Sequence, residues 1–216
     1  MIKAVVFDIG ETLLDDTREW AAWADWIGVP RHTFSAVVGA VVASGRDNRE
    51  AFEYFRPWFD LEAERQAREA AGCGQIIEES DLYPDVRSAL AALRHRGFWV
   101  GIAGNQTVKV ADLLRAINLP ADAIATSGEW GVGKPDLAFF DRVVAMTAVD
   151  RDEILYVGDH RYYDISAGRA AGLHAALLRR GPWGHLWGGD LDVQTEALLV
   201  AASLEEVVSA LPGESG

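Results

Sequence analysis

The chain has 216 residues, of which half are hydrophobic and a quarter are charged, as in ordinary globular proteins. Its formal net charge of −13 argues against nucleic acid or anionic membrane partners, because both repel a negative surface. Its single cysteine excludes an intrachain disulfide. We expect a cytoplasmic protein, since the start MIKAVVFD lacks the apolar region of a signal peptide and no run of about 18 apolar residues spans a membrane.

The first predicted element is a buried strand at residues 3–8, where a short β-branched apolar run occurs. The pattern then becomes helical from residue 16 to about residue 80. Trp20, Trp23 and Trp26 cover one broad face of the first helix, which is more typical of packing inside a helical unit than of a ligand platform. The sequence therefore predicts a helical insertion directly after the first strand.

Strands and helices alternate after residue 83. We predict further strands at 98–103, 123–126, 153–158, 174–178 and 197–201, and helices at 85–96, 107–117, 136–146, 163–171 and 203–211. This alternation predicts the α/β class, with a Rossmann-like parallel sheet and helices on both faces. We interpret residues 181–195, which contain glycines, a proline and two tryptophans, as a long loop.

Candidate catalytic residues lie in three distant segments. Asp8 lies in AVVFDIGETL, Lys134 in GVGKPD, and both Asp159 and Asp164 in ILYVGDHRYYD. Asp8 and Asp159 each follow an apolar run, as residues at the tip of a buried strand do, and such tips bind ligands in α/β sheets. A carboxylate nucleophile, a lysine and two carboxylates for a divalent metal suit the handling of a phosphoryl group.

Each of these residues alone also has an ordinary structural interpretation. Asp8 would be a loop carboxylate, the Lys134–Pro135 pair a solvated turn, and Asp164 the cap of the following helix. The order and spacing of the three segments favour a shared site over three unrelated features.

Four segments resemble the haloacid dehalogenase (HAD) superfamily, in its branch with a helical cap inserted after the first motif. They are FDIGETL (7–13), VGIAGN (100–105), GVGKPD (131–136) and VGDHRYYDISAGRAAG (157–172). The resemblance implies a HAD-like α/β core domain at residues 1–15 and 81–216 and a small all-helical cap domain at residues 16–80. Most members are Mg²⁺-dependent phosphatases that work through an aspartyl-phosphate.

The resemblance also implies a metal site. Asp8 would be the nucleophile and, with the Gly10 carbonyl and the Asp159 carboxylate, a ligand of Mg²⁺. Asp164 would hold the water shell of the metal. Oxygen ligands with retained waters are those that Mg²⁺ prefers.

The same resemblance implies a phosphate site. Lys134 would neutralise the phosphoryl oxygens and orient Asp8. Asn105 and the backbone near Gly104 would bind the remaining oxygens. At Gly104, however, the superfamily usually has a Ser or Thr hydroxyl, so one hydrogen bond is lost.

A second departure concerns proton transfer. The superfamily's phosphatases usually have a second Asp, the general acid and base, at the position of Gly10, and losing such a group costs about 10²–10⁴-fold in rate. Glu11 lies one residue further, where its side chain normally points elsewhere. The proton would come from a water, Glu11, His160 or the substrate.

The leading hypothesis is a phosphatase of a small phosphorylated metabolite. The alternatives are a non-catalytic or near-inactive phosphate- or metal-binding protein, favoured by Gly10 and Gly104, and a 2-haloacid dehalogenase, whose halide leaves without a proton. The Gly158–Asp159 metal motif argues against the dehalogenase. The sequence names neither the substrate nor the oligomeric state.

Overall fold

The computed structural model describes residues 1–212 and divides them into two compact units. One unit combines Met1–Asp15 with the chain from Ile77 onward, and the other is Asp16–Ile76. The first unit contains the sheet, and the second is helical. Within the described residues, none of the helices combines the length and apolar character that crossing a membrane requires.

The sheet has six parallel strands in the order β3-β2-β1-β4-β5-β6. The strands are β1 Ala4–Phe7, β2 Trp99–Gly104, β3 Ala123–Thr126, β4 Ile154–Gly158, β5 His174–Leu178 and β6 Leu199–Ala201. The order reverses next to β1, which pairs with β2 on one side and β4 on the other. The predicted Rossmann-like parallel sheet is confirmed, and this reversal is the place where such sheets bind ligands.

The helical unit is built around aromatic side chains. It comprises α1 Thr17–Ile27, α2 Arg31–Ala43, a 3₁₀ helix at Asn48–Tyr54, and α3 Leu61–Ala70. Phe52 lies at the centre: its ring stacks on Phe59 at 4.3 Å and contacts Phe34 and Trp23, each at 5.2 Å. Packing of this kind explains why the first helix carries tryptophans at helical spacing.

The chain leaves the sheet-containing unit and returns to it at neighbouring points. Leu14 forms an antiparallel bridge with Leu82. The Asp15 N–H donates to the Asp81 carbonyl at 2.8 Å, and the Tyr83 N–H donates to the Leu13 carbonyl at 3.0 Å. The two connecting segments are thus held together by backbone hydrogen bonds.

Helices cover both faces of the sheet. They are α4 Val86–His95, α5 Val108–Ala116, α6 Ser127–Trp130, α7 Leu137–Thr147, α8 Ala167–Ala170, α9 Gly181–Trp187, α10 Leu191–Glu196 and α11 Leu204–Ala210. Alternate residues of β1 enter two separate buried clusters, Val5 and Phe7 in one, Ala4 and Val6 in the other. A strand buried on both faces is continuously apolar, which is the pattern that the sequence shows.

The predicted loop at residues 181–195 is wrong, because that segment contains α9 and α10. Pro182 occupies the first turn of α9, where its missing N–H costs nothing. Trp183 and Trp187 lie one turn apart, and each is only 7% exposed. Burial of these two rings outweighs the helix-weakening effect of the surrounding glycines.

We expect Phe52→Ala to lower the free energy of unfolding by about 3–5 kcal/mol, because it removes a ring at the centre of the aromatic cluster. Phe52 is 2% exposed. Urea denaturation followed by tryptophan fluorescence measures the change.

Trp58→Ala is the matched control, because it also deletes a large ring from the helical unit, but one that is 93% exposed. It should change stability by no more than about 0.5 kcal/mol. Equal effects of the two substitutions would contradict the aromatic cluster as the source of stability.

Candidate active site

The carboxyl ends of three neighbouring strands meet at the point where the strand order reverses. Asp8 follows β1, Gly104 and Asn105 lie at the end of β2, and Asp159 follows β4. Since β1 lies between β2 and β4, Asp8 lies between the other residues. Four residues from the predicted site are therefore placed at one edge of the sheet.

Lys134 joins two of the predicted carboxylates. Its Nζ lies 2.7 Å from Asp8 Oδ1 and 2.5 Å from Asp164 Oδ1. The lysine side chain is 3% exposed. Burial alone would lower the pKa of Lys134, but the charges of Asp164 and Asp8 outweigh it and raise that pKa well above its usual value. Lys134 is therefore a buried ammonium whose charged form is favoured by its two carboxylate partners.

Three carboxylates converge beside this ammonium. One oxygen from each of Asp8, Asp159 and Asp164 lies within 4.8 Å of the others. Burial raises the pKa of Asp8 to about 6 against the opposing charge of Lys134. Burial and then the charges of Asp164 and Asp8 raise the pKa of Asp159 well above its usual range. The single positive charge of Lys134 therefore does not balance the three carboxylates.

Asp159 supplies direct evidence that the group fits a cation. Its Oδ2 atom is buried and accepts no hydrogen bond from any described residue. A buried carboxylate oxygen without a donor is costly unless a cation approaches it. Because all three groups offer hard oxygen atoms, the donor set suits Mg²⁺ better than a soft metal.

His160 holds the loop that carries Asp164. Its backbone N–H donates to Asp164 Oδ2 at 2.8 Å. Its ring Nδ1 accepts the backbone N–H groups of Tyr162 and Tyr163, each at 3.2 Å, and so caps a turn of π-helix at Arg161–Ser166. The predicted α-helix at 163–171 therefore begins as a π-helix and becomes α-helical only in α8.

Aromatic rings surround the His160 imidazole. The ring stacks on Tyr163 at 4.1 Å and contacts Trp183 and Trp187 at 4.6 and 4.9 Å. The proton-shuttle interpretation of His160 therefore competes with a structural role that the ring already performs. The sequence signal for this packing was the tryptophan pair, four residues apart, in the segment interpreted as a loop.

Gly104 brings the β2 backbone against the Asp8 carboxylate. A Cβ atom at position 104 would lie 2.4 Å from Asp8 Oδ1 and 3.2 Å from the Ile9 side chain. No real Cβ approaches an oxygen so closely, so a side chain here would force Asp8 to move. The glycine that departs from the superfamily pattern is thus coupled to the orientation of Asp8 towards Lys134.

Asn105 supports the lysine. Its Oδ1 accepts the Lys134 backbone N–H at 2.7 Å, and its Nδ2 donates to the Lys134 carbonyl at 2.8 Å. The amide therefore holds both sides of the Lys134 main chain. This positioning role was not evident from the sequence, because the two residues are distant along the chain.

Glu11 has a backbone φ of 52°, in the left-handed region that side chains rarely adopt. Its carboxyl accepts the Tyr83 hydroxyl hydrogen bond at 2.7 Å, and its methylene carbons lie against Gly181. Burial raises the pKa of Glu11 to about 7, opposed by the Tyr83 hydrogen bond. Tyr83 is a residue near the site that the sequence analysis missed.

The chain matches a family described as haloacid dehalogenase-like hydrolase over residues 2–172. It is 27% identical to a phosphoglycolate phosphatase of Aliivibrio fischeri over 195 residues, which cover 83% of this chain and 85% of that protein. It is 33% identical to a phosphoserine phosphatase of Thermus thermophilus over 106 residues, 46% of this chain. That match spans only 41% of the length of the Thermus protein.

The fold is also similar to a crystal structure of a dehalogenase with an intermediate complex. The TM-score is 0.71, with 18% sequence identity, and the match covers 99% of this chain and 98% of the other. At this identity the likeness concerns the fold alone.

We expect Asp159→Asn to raise the melting temperature in the presence of EDTA by at least about 2–4 °C, the shift that 1 kcal/mol produces in a chain of this size. The reason is that asparagine keeps the shape but does not titrate, whereas the raised pKa of Asp159 costs folding free energy at neutral pH, where the unfolded chain carries an ionised carboxylate. Added Mg²⁺ should stabilise the wild type by about 2.7 kcal/mol at 100 times its dissociation constant and leave the variant unchanged.

Thermal unfolding with and without Mg²⁺ measures both effects. Asp112→Asn is the control, because the Asp112 side chain is 73% exposed and pairs with Arg115 at the surface. A full Mg²⁺ response in Asp159→Asn would show that Asp159 is not a ligand.

Proposed function

Since the chain belongs to the haloacid dehalogenase-like hydrolase family, we propose that it is a Mg²⁺-dependent phosphatase of a small phosphorylated metabolite. The observation that carries this proposal is the Lys134 ammonium, which contacts Asp8 and Asp164 beside the unsatisfied oxygen of Asp159. A nucleophilic carboxylate beside fixed positive charge suits phosphoryl transfer, which depends mainly on positioning and electrostatics.

In this proposal Asp8 is the nucleophile and attacks phosphorus with the oxygen that does not contact Lys134. Lys134 keeps its proton, holds Asp8 in one orientation and neutralises phosphoryl oxygens. Asn105 binds a further phosphoryl oxygen while its amide holds the Lys134 backbone. The backbone at Gly104 lies on the same side of the phosphoryl group.

The metal-binding residues would be Asp8, Asp159 and the carbonyl of Gly10, with Asp164 holding the water shell. When bound, Mg²⁺ would offset the repulsion between the carboxylates and the incoming phosphate. Asp164 is already aligned for this role by Lys134 and by the His160 backbone N–H.

The named relatives support a small substrate. They include phosphatases of phosphoglycolate, phosphoserine and glyceraldehyde 3-phosphate. We propose a substrate of similar size and a cytoplasmic location for the protein. We also propose that the helical unit at residues 16–76 is the cap domain.

Phosphate release from p-nitrophenyl phosphate tests the function. We expect release with Mg²⁺, loss of release with a chelator, and loss in Asp8→Asn, because the amide cannot attack phosphorus. Asp112→Asn should behave as the wild type. Release that persists in Asp8→Asn would contradict the assigned nucleophile, and silence in a folded, Mg²⁺-binding wild type would contradict the phosphatase.

We expect Gly104→Ser to lower kcat by about 10²-fold, the cost of displacing a reacting group by 1 Å. The added side chain would displace Asp8 rather than supply a useful hydroxyl. Gly189→Ser is the control, because a Cβ there meets no atom within 4 Å. A higher kcat in Gly104→Ser would show that the hydroxyl matters more than the close approach.

A further inference from the structure

Proton supply to the leaving group sets a limit on the substrate, if the proposed function holds. When Asp8 attacks phosphorus, the bond to the leaving oxygen breaks and its electron pair stays on that oxygen. An alcohol, with a pKa of about 16 like that of water, must receive a proton as it leaves. A carboxylic acid, with a pKa of about 4, leaves as a stable anion at neutral pH.

The loop that carries Asp8 offers no acid at its nearest positions. Position 10 is a glycine and position 9 an isoleucine whose side chain is buried. Among the described residues, the carboxylates gathered around Asp8 are Asp159 and Asp164. Asp164 already accepts hydrogen bonds from Lys134 and from the His160 backbone, so it acts as an acceptor.

Glu11 is the next carboxyl group along this loop, and its contacts direct it elsewhere. Its oxygen accepts the Tyr83 hydroxyl, and its methylene carbons press on Gly181. Glu11 is also outside the group of oxygens within 4.8 Å that includes Asp8.

The other nearby donors have structural partners. The Tyr156 hydroxyl donates to the Ala103 carbonyl at 2.7 Å. The His160 ring accepts the Tyr162 and Tyr163 N–H groups at Nδ1, which places its proton on Nε2, and the ring is packed among aromatic rings that hold it in place. Lys134 is held between two carboxylates, which oppose release of its proton.

From this arrangement we propose that the site accepts phosphoryl donors whose leaving group departs as an anion, with acyl phosphates as the substrate class. Asp8 takes the phosphoryl group, and the carboxylate of the donor leaves with the electron pair of the broken P–O bond. Water then attacks phosphorus, Asp8 is released as a carboxylate, and the protons of the water pass to phosphate and solvent. The net reaction converts an acyl phosphate and water into a carboxylate and inorganic phosphate.

The test compares kcat/KM for acetyl phosphate, p-nitrophenyl phosphate, phenyl phosphate and ethyl phosphate with Mg²⁺, because this constant reports the steps up to departure of the leaving group. Reactions without enzyme and with Asp8→Asn supply the background. We expect kcat/KM to fall along this series, with acetyl phosphate exceeding ethyl phosphate by about 10²–10⁴-fold or more, the range that acid catalysis supplies.

Gly10→Asp places a carboxyl group on the same loop. Gly10 is not among the described glycines with a positive φ, so its backbone can carry a side chain without strain. The substitution should raise kcat/KM for ethyl phosphate relative to that for acetyl phosphate by about 10²–10⁴-fold, because only the alkoxide leaving group needs the added proton. Glu11→Gln should leave the ratio between the two donors unchanged.

Three results would overturn the inference. They are wild-type constants for ethyl and acetyl phosphate within about tenfold of each other, an equal gain for both donors in Gly10→Asp, and a selective loss with ethyl phosphate in Glu11→Gln. The wild-type comparison decides even where a variant does not fold. Absence of release from every donor contradicts the phosphatase itself, and the inference falls with it.

Discussion

The site depends on one ammonium placed among buried carboxylates. Lys134 contacts Asp8 and Asp164, and without it three acidic groups would repel one another in a poorly hydrated space. The lysine lowers this repulsion without removing it, since Asp159 keeps a buried oxygen with no described donor. A site in this state favours an added cation, because a cation would relieve the repulsion that Lys134 leaves among the carboxylates.

The surrounding structure fixes the positions of that ammonium and its carboxylate partners. Asn105 fixes the lysine backbone from the end of β2, and the His160 N–H fixes Asp164 from the loop after β4. The tryptophans of α9 pack on the His160 ring. Residues outside the carboxylate group thereby determine the orientation of Lys134 and Asp164, so the geometry of the site depends on aromatic packing as well as on the charged groups.

The sequence was sufficient to predict the parallel sheet and the position of Asp8 and Asp159 at one edge of it, because the end of a buried apolar run marks the end of a strand. It failed where the decisive contact is between distant residues. The helices at 181–196 depend on tryptophans that pack against His160. The glycines in this segment favoured a loop in the sequence interpretation, so the helices were not predicted. The close approach of Gly104 to Asp8 is a fact of strand pairing that no local pattern encodes.

The bridge between Leu14 and Leu82 affects how the helical insertion can change during evolution. The helical unit departs from and rejoins the sheet-containing unit at adjacent points, which backbone hydrogen bonds tie together. A segment with adjacent ends is exchangeable, since a short turn or a different insertion closes the same gap at little cost in loop entropy. The length and sequence of the insertion can then change while the sheet and its carboxylates stay as they are.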